Sequence, residues 1–105
     1  MPQLKIVYWR DIPGQVVIRE GRRSTRLRLP ARFSKAIERA AYRLKKKQQD
    51  ALFEPWHDVA QPLDGTDISR QAQQLVHQLE THYTEEVLET LIRASGIDEN
   101  RGLEN

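Results

Sequence analysis

The hydrophobic period changes once along this chain, at Pro30, and that change restricts the fold more than any other feature. Before Pro30 the pattern suits strands. Leu4, Ile6, Val7, Tyr8 and Trp9 form a run rich in β-branched and aromatic residues. Gln15 to Arg19 form a second such run, with Val16, Val17 and Ile18. Thr25 to Leu29 then alternate strictly, Leu27 and Leu29 on one face and Arg26 and Arg28 on the other. That alternation describes a strand with one buried and one wet side. Between the first two runs, Pro13-Gly14 suits the central positions of a type II turn. Residues 20–24, with Gly21, read as a second turn. The expectation is a three-stranded antiparallel meander over about 4–29.

After Pro30 the period becomes helical. Phe33, Ile37, Ala40, Ala41 and Leu44 recur on one stripe. Pro30 opens this helix, or Ser34 caps a slightly later start. It is expected to run to about residue 50, with Lys45, Lys46 and Lys47 complementing the dipole at its far end. Pro55, Pro62 and Gly65 mark residues 54–66 as a connecting loop. A second apolar stripe then runs from Ile68 through Ala72, Leu75, Val76, Leu79, Tyr83, Val87, Leu88 and Leu91 to Ile92. It is one long helix or two short ones broken near Thr84, with Asp67 or Thr66 as N-cap and Gly96 as C-cap. The predicted fold is α+β: a small three-stranded antiparallel sheet followed by two or three helices packed on one face. Residues 1–96 form the single domain and 97–105 a frayed tail.

Charge is divided unevenly along the 105 residues. Residues 1–50 hold 14 Lys/Arg and 4 Asp/Glu, while residues 51–105 hold 3 and 11, so halves of +10 and −8 leave the net +2. The first expectation is that the two halves face each other within the fold. The alternative is a basic face that meets an anionic partner. Arg19, Arg22, Arg23, Arg26, Arg28 and Arg32 follow a strand–turn–strand region, and Lys35, Arg39 and Arg43 extend it along a helix. Arginine forks suit phosphate or carboxylate, and Tyr8 or Trp9 would stack bases if exposed. No nucleic-acid-binding motif accompanies the charge.

Catalytic chemistry finds little support in the residues. The chain has no cysteine, which removes thiol nucleophiles and thiolate cluster ligands and favours a reducing, cytoplasmic setting. His77 and His82 are five apart and do not share a helix face, so with Glu80, Glu85 and Glu86 they read as solvated side chains rather than a metal site. Glu85, Glu86 and Glu89 read as the charged side of an amphipathic helix. Serines 24, 34, 69 and 95 stand in no nucleophile motif. The isolated glycines form no phosphate loop. No apolar run approaches the roughly 20 residues that span a bilayer, and the first residues lack the apolar segment of a signal peptide. The expectation is a protein without cofactor, metal or membrane span.

One set of residues carries a family resemblance. Val7-Tyr8-Trp9-Arg10-Asp11-Ile12-Pro13, Gln15-Val16, Arg22-Arg23, Leu29-Pro30, Arg32-Phe33, Ala36-Ile37, Ala40-Ala41 and Trp56 together resemble a small bacterial domain family described as virulence factor, related to the C-terminal part of conserved virulence factor C. No secondary structure forces a Tyr-Trp-Arg-Asp-Ile-Pro string. The resemblance covers about residues 6–57 and is weak over the acidic helix. Longer members join this domain to HEAT-like repeats and to a domain like the N-terminal part of iron–sulfur scaffold proteins. The resemblance therefore implies an accessory or adaptor role near metallocofactor or one-carbon enzymes, not an enzyme. Packing accounts for Tyr8 and Ile12 and a turn for Pro13. Arg10 and Asp11 either form a local ion pair that shapes the hairpin or present a recognition point, and Arg10, Asp11, Arg22, Arg23 and Arg32 are the expected contacts to a protein partner. A nucleic acid is the alternative partner, and a homodimer pairing basic with acidic halves is a third arrangement.

Overall fold

The computed structural model describes residues 2–46, 55–63 and 67–97. Among these residues the fold is α+β: a four-stranded antiparallel sheet with three helices. The strands are β1 (Gln3–Trp9), β2 (Ile12–Glu20), β3 (Arg23–Arg28) and β4 (Trp56–Gln61); the helices are α1 (Ala31–Lys46), α2 (Ile68–His82) and α3 (Glu85–Arg93). Strand order is β3-β2-β1-β4.

The first three strands form the expected meander, but the first turn is not where Pro13-Gly14 suggested. Trp9 pairs with Ile12, so Arg10-Asp11 is a two-residue loop, and Pro13 lies inside β2. Val7 pairs with Gln15 and Tyr8 with Pro13, which leaves Gly14 as the extra residue of a bulge. A bulge tolerates a proline that a regular ladder would not. The second loop, Gly21-Arg22, has the same length. In both loops the first residue has positive φ, 54° at Arg10 and 59° at Gly21. Positive φ at the first central residue alone is the pattern of a type II′ hairpin turn. Glycine adopts it freely; an arginine must be held there.

The fourth strand was not expected. Residues 56–61 lie in the stretch read as a loop, yet they pair with β1 from Trp9↔Trp56 to Leu4↔Gln61. Pro55 and Pro62 bracket this strand rather than interrupt it. Its residues are nearly all exposed, so no apolar alternation announced it.

Alternation sorts the sheet residues by face. Leu4, Ile6, Val16 and Ile18 are buried with Ala72 and Leu79 of α2, and Leu27 packs against the same cluster. Burying a large aliphatic side chain contributes about 1.5–3 kcal/mol, so this face fixes the register. A one-residue slip would turn the whole set to water. A second cluster gathers Trp9 and Ile12 with Phe33, Ala36 and Ala40 of α1 and Leu88, Leu91 and Ile92 of α3. Tyr83 packs against both clusters and meets the edge of Phe33, ring centroids 6.1 Å apart.

The long apolar stripe is two helices. Asp67 caps α2 by accepting from the Arg70 N–H at 3.2 Å, and Thr84 caps α3 by accepting from the Val87 N–H at 3.2 Å. Ser34 lies inside α1, where its hydroxyl donates to the Ala31 carbonyl. The reach of α1 towards residue 50, the alternative cap Thr66 and most of the expected tail lie outside the described residues. After α3, Gly96 has φ of 92° and its N–H donates to the Leu91 carbonyl at 2.7 Å. A Cβ on Gly96 would lie 2.6 Å from Trp9 Cζ3, so glycine is also required for this close approach.

Candidate functional site

The arginines and lysines of the basic half do not form one patch. The three arginines of α1 reach across to neighbouring elements. Arg32 donates from Nη2 to the Glu80 carbonyl at 2.7 Å and from Nε and Nη2 to the Tyr83 carbonyl at 3.3 Å, both at the end of α2. Its guanidinium also lies 4.9 Å from the centroid of the Phe33 ring. Arg39 forks onto both carboxylate oxygens of Glu89 on α3 at 2.9 and 3.1 Å. Arg43 donates to the Arg93 carbonyl, the last of α3. The Glu89 carboxyl is held below the usual carboxylate range, first by the hydrogen bond from Arg39. Its slight desolvation opposes this, and the nearby charges of Arg39, Arg93 and Arg43 reinforce it. Along α1, then, the basic and acidic halves do face each other.

Arg10 and Asp11 are also built into the fold. The Arg10 N–H donates to the Pro55 carbonyl and the Asp11 N–H to the Gly96 carbonyl, each at 2.8 Å. Arg10 Nη1 donates to the Ser95 carbonyl at 2.9 Å. The β1–β2 loop is thus clasped to the end of α3, which holds Arg10 at its positive φ. Burial pulls the Arg10 guanidinium below its ordinary range, and the Asp11 carboxylate beside it opposes that shift.

The arginines of β2 and β3 are disposed differently. Leu27 points to the α2 side, so Arg26 and Arg28 point to the other. Val17 stands between Lys5 and Arg26 in register, Arg28 stands opposite Gln15, and Arg19 opposite Ser24. Arg26 and Arg28 are therefore about 7 Å apart along the strand, and Arg19 is a diagonal neighbour of Arg26 at about 7–8 Å. Arg19, Arg26 and Arg28 are all exposed, as are Arg22 and Arg23 at the loop beyond them. Val17 between them is only 7% exposed, as expected where long basic stems lie along an apolar side chain. Among the described residues, ion pairs join Lys5 to Asp58 at 2.8 Å and Arg39 to Glu89 at 2.9 Å. Neither involves Arg19, Arg22, Arg23, Arg26 or Arg28, and none of those five has a side-chain partner among the described residues.

The residues expected to contact a partner thus fall at separate places. Arg10 and Asp11 lie at one end of β2 and Arg22 and Arg23 at the other, about 27 Å away at strand rise. Arg32 is engaged with α2. Sequence reasoning included Arg19, Arg26 and Arg28 in a basic stretch but not among the contacts. The strict Arg-Leu alternation of β3 was the signal that set them on a wet face. The two aromatic residues expected to stack bases do not join them: Trp9 is buried, and Tyr8 is half-buried and stacks on His57 at 5.6 Å between centroids. Trp56 is exposed on the same face, at the Trp9 end of the sheet.

Among the described residues no group of three His, Asp or Glu side chains could hold a metal ion, and no helix is long and apolar enough to cross a membrane. A groove of about 410 Å³ between α1 and α3 is lined by Ile92 and by Glu38, Arg39, Tyr42, Arg43, Glu89 and Arg93. Its charges are largely spent on each other and on helix ends.

Neither a curated protein nor a solved structure matches the chain. The model of one family, described as virulence factor, matches residues 7–92. This match runs past the stretch that carried the resemblance, through β4, α2 and α3. The acidic helices therefore belong to the same unit as the Tyr-Trp-Arg-Asp-Ile-Pro segment, and the chain belongs to the virulence factor family.

Proposed function

We propose that this protein is a non-enzymatic accessory module that holds a protein partner through the arginine-bearing face of β2 and β3. One observation carries the reading: Arg19, Arg26 and Arg28 on this face, with Arg22 and Arg23 at the loop beyond it, are exposed and make no ion pair among the described residues, while the arginines of α1 are engaged within the fold. Arg26 has like charge diagonally at Arg19 and along the strand at Arg28, and an anionic partner relieves that repulsion. The partner surface is accordingly acidic. The cysteine-free composition fits a reducing compartment, and we place the module in the cytoplasm.

Phosphate is the competing anion, and arginine suits it equally well. By register β1 to β3 present Lys5, Val7, Gln15, Val17, Arg19, Ser24, Arg26 and Arg28 on this face, and β4 adds Trp56, Asp58 and Ala60. The face disfavours phosphate of a nucleic acid in one respect: its exposed ring, Trp56, stands at the Trp9 end of the sheet, and no ring stands between Arg19, Arg26 and Arg28 for bases to stack on. The test is capture from native lysate, with and without nuclease, by the wild-type protein and by a variant with Arg19, Arg26 and Arg28 changed to serine. A stoichiometric, nuclease-resistant protein lost by the variant supports the reading. Loss of every partner on nuclease treatment transfers the face to nucleic acid.

A further inference from the structure

The strand that carries Arg26 and Arg28 is also an edge of the sheet. Strand order puts β3 and β4 outermost, and the edges differ. β4 reads Trp-His-Asp-Val-Ala-Gln, with one carboxylate already paired to Lys5. β3 reads Arg-Ser-Thr-Arg-Leu-Arg, and five of its six residues are exposed. It pairs with β2 over six unbroken rungs, so it is straight enough to template another strand. An edge strand offers unpaired N–H and C=O groups at alternate residues.

We infer that β3 is a docking edge that takes an extended acidic segment of the partner as a fifth strand; this rests on the proposed arginine face. An added strand repeats at the same two-residue spacing, about 7 Å, as Arg26 and Arg28. Carboxylates at alternate positions then stand opposite those arginines, at the distance where cross-strand charge pairs form. The intervening positions fall on the other face, beside Thr25 and the half-buried Leu27, where β-branched apolar residues fit. The preferred segment alternates acidic and β-branched residues. Main-chain bonds supply affinity and the arginines supply selection.

Edge charge also guards against self-association, and here both roles coincide. A second copy presenting its own β3 would set arginine against arginine. The same side chains reject the like edge and select the acidic one.

The probe is a synthetic peptide of roughly eight residues alternating glutamate and valine, titrated against the full chain while amide exchange of residues 23–28 is followed. Binding with slowed exchange in β3 is expected. Binding weakens about tenfold when glutamine replaces the glutamates, or in R26S/R28S with its fold confirmed by circular dichroism. A peptide N-methylated at alternate amides, which removes its ladder donors, is expected not to bind. Equal binding of the N-methylated peptide overturns strand addition and leaves the arginine face standing. Equal affinity of the glutamate and glutamine peptides overturns the acidic segment; partner capture by the arginine variant then decides the proposed function separately. Displacement of the peptide by a single-stranded oligonucleotide, with steep loss of oligonucleotide binding in salt, overturns both.

Discussion

The arginines of α1 and those of β2–β3 come from the same basic half, yet the fold uses them in opposite ways. Arg32 and Arg43 end on carbonyls at the last turns of α2 and α3, and Arg10 ends on the carbonyl of Ser95 just beyond α3. A helix leaves its last four carbonyls without backbone donors, so each helix end offers acceptors to a long cationic side chain. Carbonyls within a ladder are already bonded, and those left open along the β3 edge lie in the plane of the sheet, off the face that carries Arg26 and Arg28. Arginines next to helix ends are therefore consumed by the fold, and arginines on a sheet face remain available. Reach to an open helix end or, for Arg39, to the Glu89 carboxylate, and not charge density, separates the engaged arginines from the exposed ones among the described residues.

The largest effect that could break this comparison is on stability. Arg32→Ala removes the donors to Glu80 and Tyr83 and the guanidinium packed against Phe33. Hydrogen bonds from a charged donor contribute about 1.5–3 kcal/mol, so a loss of about 2–3 kcal/mol is expected by urea unfolding. Arg26→Ala and Arg28→Ala should each stay within about 0.5 kcal/mol. Equal losses in the two groups would erase the distinction between them.

Much of the frame was legible in the sequence because it is written in side-chain period. The Arg-Leu alternation of residues 25–29 placed β3 and its wet face. The stripe from Ile68 to Ile92 placed the helical stretch but left one helix or two open; of the two readings the break near Thr84 is the one observed, with Asp67 and Thr84 as the caps. What was hidden depends on contacts remote in sequence. Strand β4 is amphipathic on neither face and is held by pairing with β1. The first turn moved from Pro13-Gly14 to Arg10-Asp11 because the end of α3 clasps that loop. No local rule would put an arginine at positive φ. The division among the arginines was equally hidden, since the carbonyls of Glu80 and Tyr83 lie 48 and 51 residues from Arg32.

Arg10 offers a smaller and sharper test, because conformation and contact oppose each other at one residue. Arg10→Ala loses the bond to Ser95 and keeps a non-glycine residue at φ of 54°. Its expected cost is about 1–2 kcal/mol. Arg10→Gly loses the same bond but relieves the backbone, by about 1 kcal/mol. The glycine variant should therefore unfold at higher urea than the alanine variant. The reverse order would mean that the clasp imposes no strain and that Arg10 belongs with the unengaged arginines.

The smallest expected effect concerns the Arg39–Glu89 pair, which links the basic half to the acidic one at the surface. Hydrogen bonding from Arg39 is the first cause of the lowered Glu89 value. A carboxylate with a depressed folded value stabilises the fold above its unfolded value, and that contribution is lost as pH falls through the folded one. The pair should therefore act at neutral pH and fade only below the ordinary glutamate range. Both side chains are well exposed, 58% and 39%, so solvent and salt screen it and the gain in stability is small. The titration itself is the readable quantity. Carbon-detected NMR should show the Glu89 carboxyl moving up towards the ordinary range in Arg39→Gln, and in added salt, while Arg26→Gln leaves it unmoved. A Glu89 curve indifferent to Arg39 would place that arginine with those of the sheet, and the boundary between engaged and available cations would then fall within α1 itself.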